Sequence, residues 1–141
     1  MKAKQTRLRL GAILHFLIAF GHVLCLFFLD KAFRAYGISE KMNSLCLGQD
    51  WLPYAMTICL AVAFAFAGLY ALSASGDMAK LPLQRFVILM VICLYGMRTL
   101  VGIYWLIGRF TYLELFSTLA PAILVWCYLP GLSKLNDKDR N

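Results

Sequence analysis

Residues 86–107 read FVILMVICLYGMRTLVGIYWLI, and a single charged side chain, Arg98, interrupts an otherwise uncharged run. A helix needs about 20 apolar residues to cross the ~30 Å hydrocarbon core of a bilayer. The run has that length, so it reads as a membrane span carrying one arginine that is costly in hydrocarbon. Three further runs repeat the pattern, at residues 10–29, 51–73 and 113–129, with charged or turn-forming stretches between them. The expected fold is all-α: a polytopic four-helix transmembrane bundle, one domain over residues 1–141. Composition agrees, since 62% of residues are hydrophobic and 15% charged, against roughly 25% charged in soluble domains.

The first run follows Lys2, Lys4, Arg7 and Arg9, as a secretory signal would. It is longer than the roughly 7–15 apolar residues of a signal core, and no small-x-small cleavage pattern precedes Asp30. It is therefore read as a retained first span. The net charge of +7 follows from topology rather than from nucleic-acid binding. Lys and Arg in the N-terminal segment, the 74–85 loop and the tail after residue 129 outnumber those at the other helix ends, which are Lys31, Arg34, Lys41 and Arg109. The positive-inside rule then places both termini and the 74–85 loop in the cytoplasm. Residues 30–50 become an external loop and residues 130–141 a cytoplasmic tail.

Cys25, Cys59, Cys93 and Cys127 fall one in each span, and Cys46 lies in the external loop. No CxxC pair and no Cys/His spacing suited to a metal occurs, so no metal ligand is assigned. Residues 30–50, DKAFRAYGISEKMNSLCLGQD, alternate aromatic and charged positions. They fit either an interfacial segment with rings at headgroup level or a solvated loop, with Gly37 interrupting any helix. In the second span Ala63, Ala67 and Ala71 recur every four residues beside Gly68, a spacing that lets another helix approach closely. Gly76 and Pro82 are stop signals. The short 108–112 link makes the third and fourth spans antiparallel neighbours. Pro121 should kink the fourth by removing the hydrogen bond to the Ser117 carbonyl.

The intramembrane polar residues are His15, His22, Arg98 and, nearer an edge, Glu114, and such groups usually face the bundle interior. His15 and His22 are seven residues apart, about 10 Å along one helix stripe. Tyr95, Arg98 and Gly102 share a stripe of the third span. If the first and third spans touch, His22 and Arg98 lie at one depth. Glu114 sits about 13 Å shallower than Arg98, so a direct pair would be strained, and Arg109 is its alternative partner. Arginine stays protonated and so binds anions or carbonyls, whereas histidine relays protons or ligates metals. No catalytic residue emerges, because no serine motif or His–Asp pair is present. His15, His22, Tyr95, Arg98 and Glu114 form the expected interior polar cluster, serving either helix packing, a lipid-like or quinone-like ligand, or a proton path.

The Gly21-His22 step in the first span, the following KAFRAYGI and the second-span ending FAGLYALSASG resemble the DoxX-like superfamily, as do the two closely linked last spans. These are small four-helix proteins of the bacterial inner membrane. The resemblance implies that localisation, and it implies association with quinone-linked redox complexes. Three functions stand open: a non-catalytic accessory subunit that packs a membrane-protein partner or a second copy, a binder or transporter of a small lipid-like, quinone-like or anionic ligand, and a membrane subunit of a quinone-linked redox enzyme. No cofactor is expected, with a quinone or a lipid as the type the polar set could hold. The expected partners are membrane lipids and membrane protein, with no nucleic acid.

Overall fold

In the computed structural model, the structure describes residues 2–35, 37–46, 48–108 and 110–138 (residue 113 and residues 133–138 by backbone only). The described residues form helices with no strand: α1 (Lys2–Cys25), a 3-10 turn (Leu26–Phe28), α2 (Leu29–Ala35), α3 (Ser39–Leu45), α4 (Leu52–Ser75), α5 (Gln84–Gly108) and α6 (Tyr112–Lys138). Four of these stretches are long and apolar enough to cross a membrane: Lys2–Ala35, Leu52–Ser75, Gln84–Gly108 and Glu114–Leu132. The all-α, four-span class expected from the apolar runs is therefore present.

The helices are longer than the apolar runs. α1 begins at Lys2 and α6 continues to Lys138, so much of the expected 130–141 tail is helical. Charged residues mark where a helix leaves hydrocarbon, and the backbone goes on hydrogen bonding to itself in water. Residues 30–50, expected as an external segment, are not a plain loop. α2 ends at Ala35, before Gly37 at φ +64°, and α3 follows.

The chain divides into two compact units. One comprises residues 1–14 and 67–141, and the other residues 15–66. The first is organised around Tyr128 of α6, which is fully buried. Its hydroxyl donates to the Ala67 carbonyl of α4 at 2.8 Å. A Cβ built on Gly11 of α1 would lie 2.9 Å from the Tyr128 ring, so only glycine leaves room there. Leu8 and Ile88, both wholly buried, close against Gly131 of α6.

Arg7 solves a local problem in α6. Pro130 lies inside that helix and has no N–H, so the carbonyl four residues earlier, Trp126, loses its helical partner. Arg7 Nη2 donates to that carbonyl, and its guanidinium carbon sits 3.9 Å above the Trp126 ring centroid, a cation–π contact. Arg7→Leu should cost about 1–3 kcal/mol by orphaning that carbonyl within an apolar span. In a Pro130→Ala background, residue 130 supplies its own N–H and the same change should cost less. Thermal melts of the four proteins in a double-mutant cycle check this, and an equal loss in both backgrounds would refute the pairing.

The α4–α5 connection is fastened at several points. Gly76, at φ +95°, ends α4; its N–H bonds Ser73 O at 3.2 Å and the Asp77 N–H bonds Leu72 O at 3.2 Å, the paired pattern of a glycine-terminated helix. Asp77 then accepts a bidentate pair from Arg9, Nε at 2.7 Å and Nη2 at 2.5 Å. Ser73 Oγ donates to Ala79 O at 2.9 Å and accepts from the Leu81 N–H at 3.0 Å. Tyr70 OH reaches Pro82 O at 3.0 Å. Next to these, Leu83 adopts φ +56° with its side chain 74% exposed. A left-handed conformation costs a leucine about 1–2 kcal/mol, and asparagine tolerates it better. Leu83→Asn should therefore raise the melting temperature, by an amount equivalent to about 0.5–1 kcal/mol. A fall would show that this backbone relaxes without strain.

Candidate functional site

Arg98 is the fifteenth residue of the 25-residue α5, so its Cα lies about 15 Å from the Gly108 end. Its side chain is exposed in the chain taken by itself. Arg98 shares the Gly102 stripe of α5, one turn earlier, and its guanidinium passes beside the contact with α6 rather than into it. A Cβ on Gly102 would fall 2.2 Å from Thr118 Oγ1 and 3.0 Å from Arg98 Nη1, so the helices meet at the glycine and the arginine skirts the seam. Arg98 Nη2 donates to Ser117 Oγ at 3.0 Å. Ser117 is the sixth residue of α6, about 8 Å from its start. The guanidinium has thus moved from mid-span toward that end, as snorkelling side chains do.

Ser117 Oγ in turn donates to the Glu114 carbonyl at 3.1 Å, and Thr118 Oγ1 donates to the same carbonyl at 2.8 Å. The strained Arg98–Glu114 ion pair is not made among the described residues. Among the described residues Arg98 meets the Ser117 hydroxyl, while Arg9 and Asp77 form an ion pair elsewhere. Glu114 is half-buried. Its alternative pairing with Arg109 lies outside the described residues. Tyr95 is half-buried, and its carbonyl accepts from Thr99 Oγ1 at 2.7 Å. Around Arg98 the α5 surface is apolar and open, with Leu94, Met97, Val101 and Trp105 all exposed.

His15 and His22 belong to the other unit, so they are described apart from Arg98. His15 is completely buried, with its ring centroid 6.2 Å from that of Phe64. His22 is half-buried, 4.9 Å from the same Phe64 ring, with Nδ1 2.8 Å from the Ile18 carbonyl. That contact makes Nδ1 the protonated nitrogen, because a carbonyl only accepts. The two histidines share an aromatic neighbour on α4. Among the described residues no three of His, Cys, Asp and Glu gather as metal ligands.

Of the small-residue stripe, Ala67, Gly68 and Ala71 are buried while Ala63 is exposed. Ala67 meets Tyr128, so part of the stripe serves packing within the chain.

The unit of residues 15–66 also holds a cleft of about 540 Å³, bounded by α2, α3 and the start of α4. Leu29, Phe33, Met42 and Pro53 supply apolar wall, while Asp30, Arg34, Asp50 and Ser39 supply charge and a hydroxyl. The sequence reading assigned no site here. Alternating aromatic and charged residues were the visible signal, but only folding of α2 and α3 makes them one concave surface.

No family model, curated protein or solved structure matches the chain. The residues themselves must carry any functional reading.

Proposed function

We propose that this chain is a small membrane protein of the bacterial inner membrane acting as a non-catalytic accessory subunit, which meets its partner through the exposed α5–α6 face bearing Arg98. One observation carries the reading: an arginine rooted near the middle of an apolar span, exposed, with its guanidinium drawn toward the Gly108 end and a serine hydroxyl as its hydrogen-bond partner. Charged groups in membrane helices pair with one another or with backbone carbonyls. The partner helix would therefore present a carboxylate or free carbonyls at that depth. The layout shared with DoxX-like proteins, and the subunit role that resemblance implies, support the same reading.

Purification in mild detergent should retain a stoichiometric membrane partner. Arg98→Leu should release that partner while leaving the stability of the isolated chain within about 0.5 kcal/mol of the parent value, as for other surface changes. A lone monodisperse monomer from mild detergent would oppose the proposal.

A further inference from the structure

The cleft of the 15–66 unit holds opposite charges apart. Asp30, Asp50 and Arg34 all line it, yet none forms an ion pair among the described residues. Arg34 Nε donates instead to the Asp30 backbone carbonyl at 3.3 Å. Ser39 Oγ, also in the wall, is shut off from solvent and has no hydrogen-bond partner among the described residues. Charges of both signs in one concavity complement a molecule that carries both signs itself. The wall has one cation and two carboxylates, so the ligand must bring an amine as well as an anion. Phe33 and Tyr54 add aromatic surface of the kind that favours ammonium groups.

Position narrows the class. The cleft lies where the first apolar span gives way to charge, at the end of the membrane opposite the basic N-terminal segment. Exposed Phe27, Phe28 and Trp51 are close to it in sequence. Its volume of about 540 Å³ is within the roughly 300–1,000 Å³ range of small-molecule sites. We propose that this cleft binds an amine–phosphate zwitterion of the phosphoethanolamine type, with Arg34 taking phosphate oxygens and Asp30 and Asp50 taking the ammonium. The neighbouring aromatic residues suit a lipid headgroup whose acyl chains remain in the bilayer. Free phosphoethanolamine shares the recognised chemistry. The site is independent of the α5–α6 face, so either proposal can fail without the other.

The test uses the full chain, delipidated in detergent and then offered phosphatidylethanolamine, phosphatidylglycerol or soluble phosphoethanolamine, with retention read by native mass spectrometry. Phosphatidylethanolamine should be retained about tenfold more than phosphatidylglycerol. Asp30→Asn/Asp50→Asn should abolish that preference, and Arg34→Gln should weaken retention of both lipids. All three side chains are exposed, so melting temperatures without lipid should not move. If the double variant fails to fold, Asp50→Asn alone should narrow the preference. Displacement of the retained lipid by soluble phosphoethanolamine would make the headgroup sufficient. Retention of the lipid despite excess soluble compound would make the acyl chains part of the ligand. Equal retention of the two lipids, or an unchanged preference in the Asp variants, overturns the proposal.

Discussion

Gly102→Ala should lower the stability of the detergent-solubilised chain by about 1–3 kcal/mol, the usual cost of overpacking a well-filled contact. The added Cβ would lie 2.2 Å from Thr118 Oγ1 and 2.9 Å from Thr118 Cγ2. Thr118 has little freedom to yield. It is 7% exposed, and its hydroxyl is bonded to the Glu114 carbonyl. Rotating Cγ2 clear would break that bond, so the helices must separate instead, which costs contact along the whole α5–α6 seam. Thr118→Ala removes both clashing atoms and should recover most of the loss in the double variant. A cycle of four melting curves reads the coupling, expected at about 1 kcal/mol or more for residues in direct contact. Additive losses would mean the seam is looser than the structure has it.

Gly11→Val should be comparably severe, at about 1–3 kcal/mol or more. Its Cβ would fall 2.9 Å from Cε2 and 3.2 Å from Cδ2 of Tyr128, and 3.1 Å from Cys127 Cβ. The last is attached directly to the α6 backbone and cannot swing away. The ring is held from the other side by its hydrogen bond to Ala67 O, so relief requires breaking that bond or shifting α6 off α1. Tyr128→Phe alone should cost about 0.5–1.5 kcal/mol. The two changes together should cost less than their sum, since the freed ring can move. Strict additivity in melting experiments would contradict this arrangement.

Much of the architecture is legible in the residues because the bilayer dictates it. Apolar length, the Gly76 stop and the short 108–112 link each have one physical consequence, and each appears in the structure. The facing of the helices is a different matter. A span that is apolar on every side has no polar stripe to mark its outward face, so periodicity did not tell that α5 packs through Gly102 and leaves Arg98 exposed. His15 is buried, whereas Arg98 is exposed in the chain taken by itself. Pro130 announces an orphaned Trp126 carbonyl through the four-residue rule. That Arg7, 119 residues earlier, supplies the donor depends on tertiary packing. The cleft beside α2 and α3 is likewise tertiary, since its charges are ordinary loop residues until two short helices bring them together.

The central claim is that the Arg98 face is covered by a protein partner in the membrane. The most direct measurement places a photo-crosslinking benzoylphenylalanine at Met97, which is 66% exposed and adjacent to Arg98, and irradiates intact membranes. One discrete protein adduct is expected, and it should disappear when Arg98→Leu is added. Adducts with lipid alone, or a protein adduct indifferent to Arg98, would contradict it.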